Sequence, residues 1–415
     1  MSPPAPPTAT RWPRVLLLVA AGVAAALHIG KVPPAMPDLR DDLGLDLVGA
    51  GWVLSLIATI GAAAGTAIGA GADAVGHRRG VLLGMALLTG GSLLGSLSSL
   101  APGGAAALFA GRAVEGAGSI LVAVSVPALI WRSAAPRDVR FAFGLWGAWL
   151  PLGVSAMMAA SPFLLARFDW PAVWWAASAA SALVGVALAV ETRGMPAQDI
   201  STGARAGWPG GAALLAVGRS PAAWTLAGSF FLYSLCFMTV LGFLPTFLTE
   251  ERGLAADTSS WLVGVAVLFN AVGNVLAGWL AMRGLRRWAL VGIAFAAMAV
   301  CAAGIFSTAL PVAAGYALCL LYSVLGGLLP ATVMGAAPAF APRPQLVSST
   351  SGMVMQGSYL GQLAGAPLVG LLASRIGWGA VPLFVAASCL TGCALALALR
   401  AQERRVERRP HPARA

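Results

Sequence analysis

Long apolar runs separated by short polar segments organise the whole sequence. Each run is about 20 residues long and nearly free of charge, which is the length that an α-helix needs to cross a bilayer core. The runs do not alternate apolar and polar residues, so they do not fit the short strands of a membrane β-barrel. The pattern predicts twelve spanning helices, at about 15–35, 48–70, 80–100, 104–131, 141–166, 171–190, 222–247, 259–282, 288–308, 311–336, 347–373 and 379–399.

The composition supports the same class. Of the 415 residues, 59% are apolar and only 10% are charged, against about 45–50% and about 25% in soluble proteins. We therefore expect an all-α integral membrane protein. The first run, RWPRVLLLVAAGVAAALHIG, also fits a secretory signal peptide. We interpret it as the first span, because its removal would leave eleven spans and disturb the charge pattern.

The basic residues predict the orientation. The net charge is +11, and most of the arginines fall in alternate loops and at the two termini. The opposite side receives only Arg40, Arg167, Arg252 and Arg375, while Lys31 and Arg112 lie inside predicted spans. By the positive-inside rule, both termini face the cytoplasm. The positive charge thus indicates topology in a cytoplasmic membrane, with the lipid bilayer and no nucleic acid as its partner.

A repeat divides the chain into two halves. We predict six-helix bundles at 1–190 and 222–400, joined by a Gly- and Pro-rich cytoplasmic linker at 191–221 and followed by a basic tail at 401–415. Aligning GAGADAVGHRR with GWLAMRGLRR places Gly69 over Gly278 and Arg78 over Arg287. Repeated halves with a substrate site between them are common in secondary transporters.

Two segments resemble the major facilitator superfamily (MFS). After span two, the family has a Gly followed by Asp-Arg, a second Gly and two basic residues. The residues that fit this pattern are Gly69, Asp73, Gly76, Arg78 and Arg79, whereas Ala74 and His77 depart from it. In span four, Arg112-Ala-Val-Glu115-Gly116-Ala-Gly118 is similar to the family's Arg-x-x-Gln-Gly-x-Gly, with Glu in place of Gln.

The resemblance implies an architecture and a role for the first segment. The fold would be two pseudo-symmetric six-helix bundles, and the loop after span two would be a conformational latch that closes the inner side when the cavity opens outward. Asp73 would pair with an Arg or with the positive N-terminal end of a helix such as span eleven. Weaker likeness to the cyanate and nitroimidazole-type permeases is found in GLWGAWLPLG, GFLPTFLTEERGL and QGSYLGQLAGAPLVG.

Four ionisable residues inside predicted spans are candidates for the transport pathway: His28, Lys31, Arg112 and Glu115. Such groups are costly in hydrocarbon and mark functional sites by default. Arg112 and Glu115 are three residues apart and share a helical face. In the resembled family, helices one, four, seven and ten line the cavity, which implies that the four residues form one cluster. Glu115, the lone deep carboxylate, is the candidate proton carrier.

Each candidate also has a structural interpretation. The Arg112–Glu115 pair could be static, Lys31 could extend to the headgroups, and His28 could be a hydrogen-bonded packing residue. The C-terminal half supplies neutral polar candidates, of which Asn270 and Asn274 could instead bond a neighbouring helix. These candidates are Tyr233, Asn270, Asn274, Tyr316 and Gln356.

The function that follows is secondary active transport by alternating access, coupled to protons. Two fixed cations and one carboxylate suit a small anion or weak acid better than a bulky organic cation. An efflux antiporter for drugs or metabolites is the alternative within transport, and a transport-inactive membrane sensor is the alternative of another class. An enzyme is disfavoured because the three histidines are scattered. We expect a monomer with no metal and no cofactor.

Overall fold

The computed structural model describes residues 8–45, 47–100, 105–193, 211–307 and 309–407. These residues form α-helices joined by short turns, with two short 3-10 segments at 97–100 and 344–346 and no strand in the described ranges. The helices are α1 Trp12–Gly30, α2 Val32–Leu43, α3 Leu47–Val75, α4 His77–Ser96, α5 Ala105–Ser133, α6 Val139–Gly147, α7 Trp149–Leu165, α8 Pro171–Glu191, α9 Gly211–Gly218, α10 Pro221–Glu250, α11 Ala256–Met282, α12 Arg287–Ile305, α13 Val312–Phe340, α14 Val347–Arg375 and α15 Ala380–Glu407.

Within the described residues, eleven helical segments are long and apolar enough to cross a membrane. Two of them combine consecutive helices: Trp12–Leu43 joins α1 to α2, and Val139–Leu165 joins α6 to α7. The predicted span at 347–373 forms α14 but is not among the eleven. It carries the buried polar run Ser348 to Ser351 and, further along, Gln356 and Gln362, which lower its apolar content. The count of twelve therefore stays a prediction.

Three segments outside the predicted spans, at 36–47, 191–221 and 401–415, have helical parts. The acidic stretch at 36–47 is helical as far as Leu43, so α1 continues almost directly into α2. The linker at 191–221 contains the short helix α9, and its residues 194–210 lie outside the described part. The tail is helical as far as Glu407, and residues 408–415 are likewise not described.

The two halves meet chiefly along two helix pairs, α3 with α14 and α11 with α6, and α5, α7 and α13 add smaller contacts. Small residues permit this close approach. A Cβ built on Gly352 would lie 2.3 Å from the carbonyl oxygen of Gly65, and one on Gly144 would lie 2.9 Å from the Cα of Gly278. Both pairs converge near the α3–α4 and α11–α12 turns. We call this region the basic end, because it carries Arg78, Arg79, Arg286 and Arg287.

Both of these turns depend on glycine. Gly76 has φ +89° between α3 and α4, and Gly284 has φ +94° between α11 and α12. This left-handed backbone is costly for residues with a Cβ but not for glycine. Each turn lets a long helix reverse direction within a few residues, which supports the internal repeat seen in the sequence.

Candidate functional site

Glu115 lies at the centre of a buried ionic cluster. Its Oε1 accepts a hydrogen bond from Lys31 Nζ at 2.5 Å, and its Oε2 accepts one from Arg112 Nη1 at 2.6 Å. His28 Nδ1 lies 3.2 Å from Oε1. All four side chains are at most 1% exposed. The i, i+3 pair predicted on α5 is thus joined by His28 of α1 and by Lys31, the residue that follows α1, which are also i and i+3.

Three polar or aromatic residues of α4 and α8 complete the ionic cluster. Lys31 Nζ donates to Ser92 Oγ at 2.8 Å and lies 4.4 Å from the ring centre of Trp174. His28 Nε2 lies 2.8 Å from Ser181 Oγ. Each cation is therefore held by more than the carboxylate alone, which a charge needs in order to remain buried.

The histidine can join the cluster in two ways. Its Nδ1 lies 3.2 Å from Glu115 Oε1, an acceptor, and 3.3 Å from Lys31 Nζ, a donor. A protonated Nδ1 would donate to Glu115, whereas an unprotonated Nδ1 would accept from Lys31. The Ser181 hydroxyl suits both cases, since it can either donate to or accept from Nε2.

Arg112 ties three helices of the N-terminal half together. Its Nη1 donates to the carbonyl oxygen of His28 at 2.6 Å, near the end of α1. Its Nε donates to the carbonyl oxygen of Val53 in α3 at 3.0 Å. The guanidinium group thus links α1, α3 and α5 through a planar set of donors that a lysine could not supply.

The cluster is enclosed within the N-terminal half. All of its described contacts come from α1, α3, α4, α5 and α8, and none of the four charged side chains is open to solvent. The expectation that Lys31 reaches the headgroups is wrong, because its ammonium is fully buried and bonded to Glu115. The expected position on a central cavity is also not seen in this conformation.

The polar residues of the C-terminal half do not join this cluster. Asn270 Nδ2 donates to Tyr233 Oη and to the carbonyl oxygen of Ser323, both at 3.0 Å. Asn274 Oδ1 accepts from the backbone N–H of Ala331 at 3.1 Å. These bonds join α11 to α10 and α13, as the cross-helix interpretation expected.

The remaining two candidates of the C-terminal half, Tyr316 and Gln356, also lie outside the ionic cluster. Tyr316 Oη donates to the carbonyl oxygen of Leu262 at 2.9 Å. Gln356 bridges the two halves: its Nε2 donates to the carbonyl oxygen of Ala62 and its Oε1 accepts from Thr66 Oγ1, both at 2.6 Å. Gln356 is thus a contact between α14 and α3.

The latch segment also crosses between the halves. The Asp73 carboxylate accepts the backbone N–H groups of Ser348 at 2.9 Å and Ser349 at 2.7 Å, and the Ser349 hydroxyl at 2.6 Å. These donors belong to the first turn of α14, where the helix dipole favours an anion. His77, one of the departures from the family pattern, also contacts Asp73, with its Nε2 3.0 Å from Oδ1.

The other latch residues shape the turn around Asp73. Arg78 Nε donates to the carbonyl oxygen and the hydroxyl of Thr192, both at 3.0 Å, just after α8. Gly69 leaves no room for a side chain, since a Cβ there would lie 2.2 Å from the carbonyl oxygen of Ser348. Arg79 is exposed. Asp73 therefore bridges the halves, and Arg78 anchors the turn within its own half.

Comparison with known protein families identifies the family of this chain. The model described as Major Facilitator Superfamily matches residues 15–355 and 226–415 in two overlapping segments. The chain belongs to the Major Facilitator Superfamily. The resemblance read from the sequence is confirmed. MFS proteins are transporters and not enzymes, and this member is a multi-pass membrane protein.

Solved MFS structures share its fold. The transporter FucP in its outward conformation superposes with a TM-score of 0.73 at 14% identity, covering 92% of this chain and 97% of FucP. The human organic anion transporter MFSD10 gives a TM-score of 0.73 at 17% identity, covering 95% of this chain and all of MFSD10 (100%). At such low identity, these likenesses establish the fold alone.

Two curated relatives are similar in part. The methylenomycin A resistance protein of Bacillus subtilis is 32% identical over 151 residues, covering 36% of this chain and 31% of the relative. The cyanate transport protein CynX of Escherichia coli is 26% identical over 276 residues, covering 63% of this chain and 65% of CynX. The chain thus matches less than two thirds of the length of either relative.

Sequence reasoning missed Ser92, Trp174 and Ser181 as partners of this MFS cluster. A serine or tryptophan in an apolar helix carries no sequence signal of its own, because both are common in such helices. Their contacts depend on how α4 and α8 are rotated toward α1. That rotation depends partly on a glycine contact, since a Cβ on Gly91 of α4 would lie 2.8 Å from the carbonyl oxygen of Gly111 in α5.

Proposed function

We propose that this MFS protein transports a small anion or weak acid across the cytoplasmic membrane by proton-coupled alternating access, with both termini in the cytoplasm. The observation that carries the proposal is the ionic cluster of His28, Lys31, Arg112 and Glu115. It places one carboxylate against two cations in a site closed to solvent. Intramembrane charges of this kind mark ion and proton pathways.

Glu115 is the proposed proton carrier. When ionised, it holds together Lys31, at the C-terminal end of α1, and Arg112 of α5. Protonation would remove the charge that both cations compensate, which weakens the tie between the two helices. His28 offers a neighbouring place for the proton, because its Nδ1 faces both an acceptor and a donor. Proton uptake would thus loosen the packing of α1 against α5.

The net positive charge of the cluster supports an anionic substrate. Two cations and one carboxylate leave one excess positive charge when the histidine is neutral. An anion that reached Lys31 or Arg112 as the halves move would take over part of the role of Glu115. The partial similarity to CynX, a cyanate transport protein, also favours an anionic substrate.

An efflux antiporter is the second candidate. The similarity to the methylenomycin A resistance protein over 151 residues favours it. The two candidates differ in the class of solute and in the direction of movement relative to protons, so transport by the purified protein separates them.

The conformation supports alternating access with the basic end closed. The Asp73 bonds to α14 and the Gly144–Gly278 contact hold the halves together at that end. If the basic end is cytoplasmic, as the charge pattern predicts, this conformation closes the pathway to the cytoplasm. Asp73 would then act as a latch that must open before solute reaches the inner side.

The test is transport by the purified protein in proteoliposomes with an imposed pH gradient. We expect radiolabelled cyanate or a small monocarboxylate to accumulate when protons flow inward, and an uncoupler to abolish that accumulation. Proton-driven movement of drug-like solutes with no movement of small anions would favour the antiporter. Solute-induced thermal stabilisation without any transport would favour a sensor.

A further inference from the structure

Two buried hydroxyl groups from opposite halves lie close together where the halves meet. Ser119 of α5 is fully buried, and Tyr359 of α14 is 3% exposed. The Tyr359 hydroxyl lies near that of Ser119, yet neither oxygen has a hydrogen-bond partner of normal geometry among the residues that the structure describes. Buried hydroxyls are usually paired, because an unpaired one destabilises the folded protein. This pair of hydroxyls therefore needs an explanation other than folding.

A glycine in α3 lets the Tyr359 ring reach between the helices. A Cβ built on Gly61 would overlap that ring, so only glycine leaves room for it. Gln356, one turn earlier on α14, holds the same face of α14 against α3 through two hydrogen bonds. Because α14 also contacts α5, the tyrosine carries a hydroxyl of the C-terminal half to Ser119 of the N-terminal half.

The hydroxyl pair lies near the middle of all three helices. Ser119 is the central residue of α5, and Gly61 is the central residue of α3. Tyr359 is two residues from the centre of α14. Secondary transporters bind solutes and coupling ions near the bilayer midplane, where their repeats meet. The position of the pair thus fits a place that a solute reaches as the halves move.

The ionic cluster gives this place a preference for negative charge. Ser119 follows Glu115 by four residues, so it lies on the same face of α5, about 6 Å further along the helix. The cluster carries one excess positive charge when His28 is neutral, and such a charge acts over this distance when little water is present. Both hydroxyls can donate hydrogen bonds, and donation to an anion is stronger than donation to a neutral acceptor.

We propose that the Ser119 and Tyr359 hydroxyls form a subsite that binds the charged end of a small anion, either a carboxylate or cyanate. The proposal rests on the proposed transport function and assigns it two binding residues outside the ionic cluster. A bound anion would accept a hydrogen bond from each half and so pair both hydroxyls. When the halves move apart at this level, the anion would lose one of its two donors, which favours its release.

Two conservative variants remove one hydroxyl each. Ser119→Ala deletes the first, and Tyr359→Phe deletes the second while keeping the ring against Gly61. Ser125→Ala is the matched control. Ser125 Oγ is also fully buried on α5 and without a hydrogen-bond partner in the described part of the chain. It faces α4 inside the N-terminal half, since a Cβ on Gly80 would lie 2.5 Å from it.

Two measurements on the full-length protein test the proposal. The first is the initial rate of uptake of radiolabelled cyanate, and separately of radiolabelled lactate, into proteoliposomes. We expect Ser119→Ala and Tyr359→Phe each to raise the apparent KM about tenfold or more, since each removes one bond to a charged group. Ser125→Ala should leave KM unchanged. The second is thermal unfolding without solute, in which neither test variant should melt at a lower temperature than the wild type, because each loses an unpaired buried hydroxyl.

The outcomes separate this proposal from the transport function itself. Wild-type KM in both test variants, or an equal rise in Ser125→Ala, would overturn the subsite and leave transport intact. A lower melting temperature with an unchanged KM would show that the hydroxyls serve packing, which also overturns it. If the wild type takes up neither anion, the proposed transport of small anions fails, and the subsite fails with it.

Discussion

Replacing Gly352 by alanine adds one methyl group at a backbone contact between the two halves. The new Cβ would lie 2.3 Å from the carbonyl oxygen of Gly65, far inside van der Waals contact. A backbone atom cannot rotate away as a flexible side chain can, so α14 must move from α3. The clash exists only while the basic end is closed, and it disappears when the halves separate there.

The size of the effect follows from overpacking. One inserted methyl group in a packed interface costs about 1–3 kcal/mol. Because the cost falls on one of two conformations, the closed-to-open ratio at the basic end should drop by about 5- to 150-fold. Gly71→Ala is the matched control, since a Cβ on Gly71 of the partner helix α3 meets no atom within 4 Å.

Electron–electron distance measurements give the readout. Spin labels at Val75 and Arg343, two exposed positions at the basic end in opposite halves, would be introduced after the native cysteines are replaced. Gly352→Ala should shift the distance distribution to longer values, and Gly71→Ala should leave it unchanged. Identical distributions for the two variants would refute the idea that the α3–α14 contact controls closure.

Three further substitutions test other parts of the structure. Asp73→Asn removes the anion at the start of α14 and should lengthen the same spin-label distance; an unchanged distance would argue against a latch. Lys31→Met keeps the side-chain length but leaves Arg112 as the cluster's only fixed cation. It should therefore raise the apparent KM for an anionic solute about tenfold, as determined from initial uptake rates. An unchanged KM would show that Lys31 is not part of the solute pathway. Asn270→Ala breaks the bond to Tyr233 and should lower the melting temperature without changing KM, whereas a change in KM alone would return Asn270 to the solute pathway.

The sequence predicted those features that depend only on residues close together along the chain. Continuous apolar runs predict helices regardless of packing, and the three-residue spacing of Arg112 and Glu115 predicts a shared face. It misled at 36–47, where Asp, Arg and Pro suggest a loop, because the stretch is helical as far as Leu43 and Pro37 lies inside that helix.

The rest of the site depends on packing between distant segments. The sequence does not show that Ser92 and Ser181 face the ionic cluster, since helix rotation is set by contacts such as Gly91 against Gly111. The resemblance to MFS proteins suggested that α1 and α5 meet, but not that α4 and α8 enclose their charges. The Asp73 contact with α14 was predictable because the family pattern and the helix dipole agree there.

Proton coupling through Glu115 is the central claim, and accumulation by Glu115→Gln proteoliposomes tests it most directly. The wild type should concentrate its solute when a pH gradient is imposed. Glu115→Gln should lose this uphill accumulation while retaining exchange of labelled for unlabelled solute, which also shows that it is folded. If the single variant does not fold, Lys31→Met combined with Glu115→Gln removes opposite charges together and serves in its place. Proton-driven accumulation at the wild-type level by either folded variant would contradict the account.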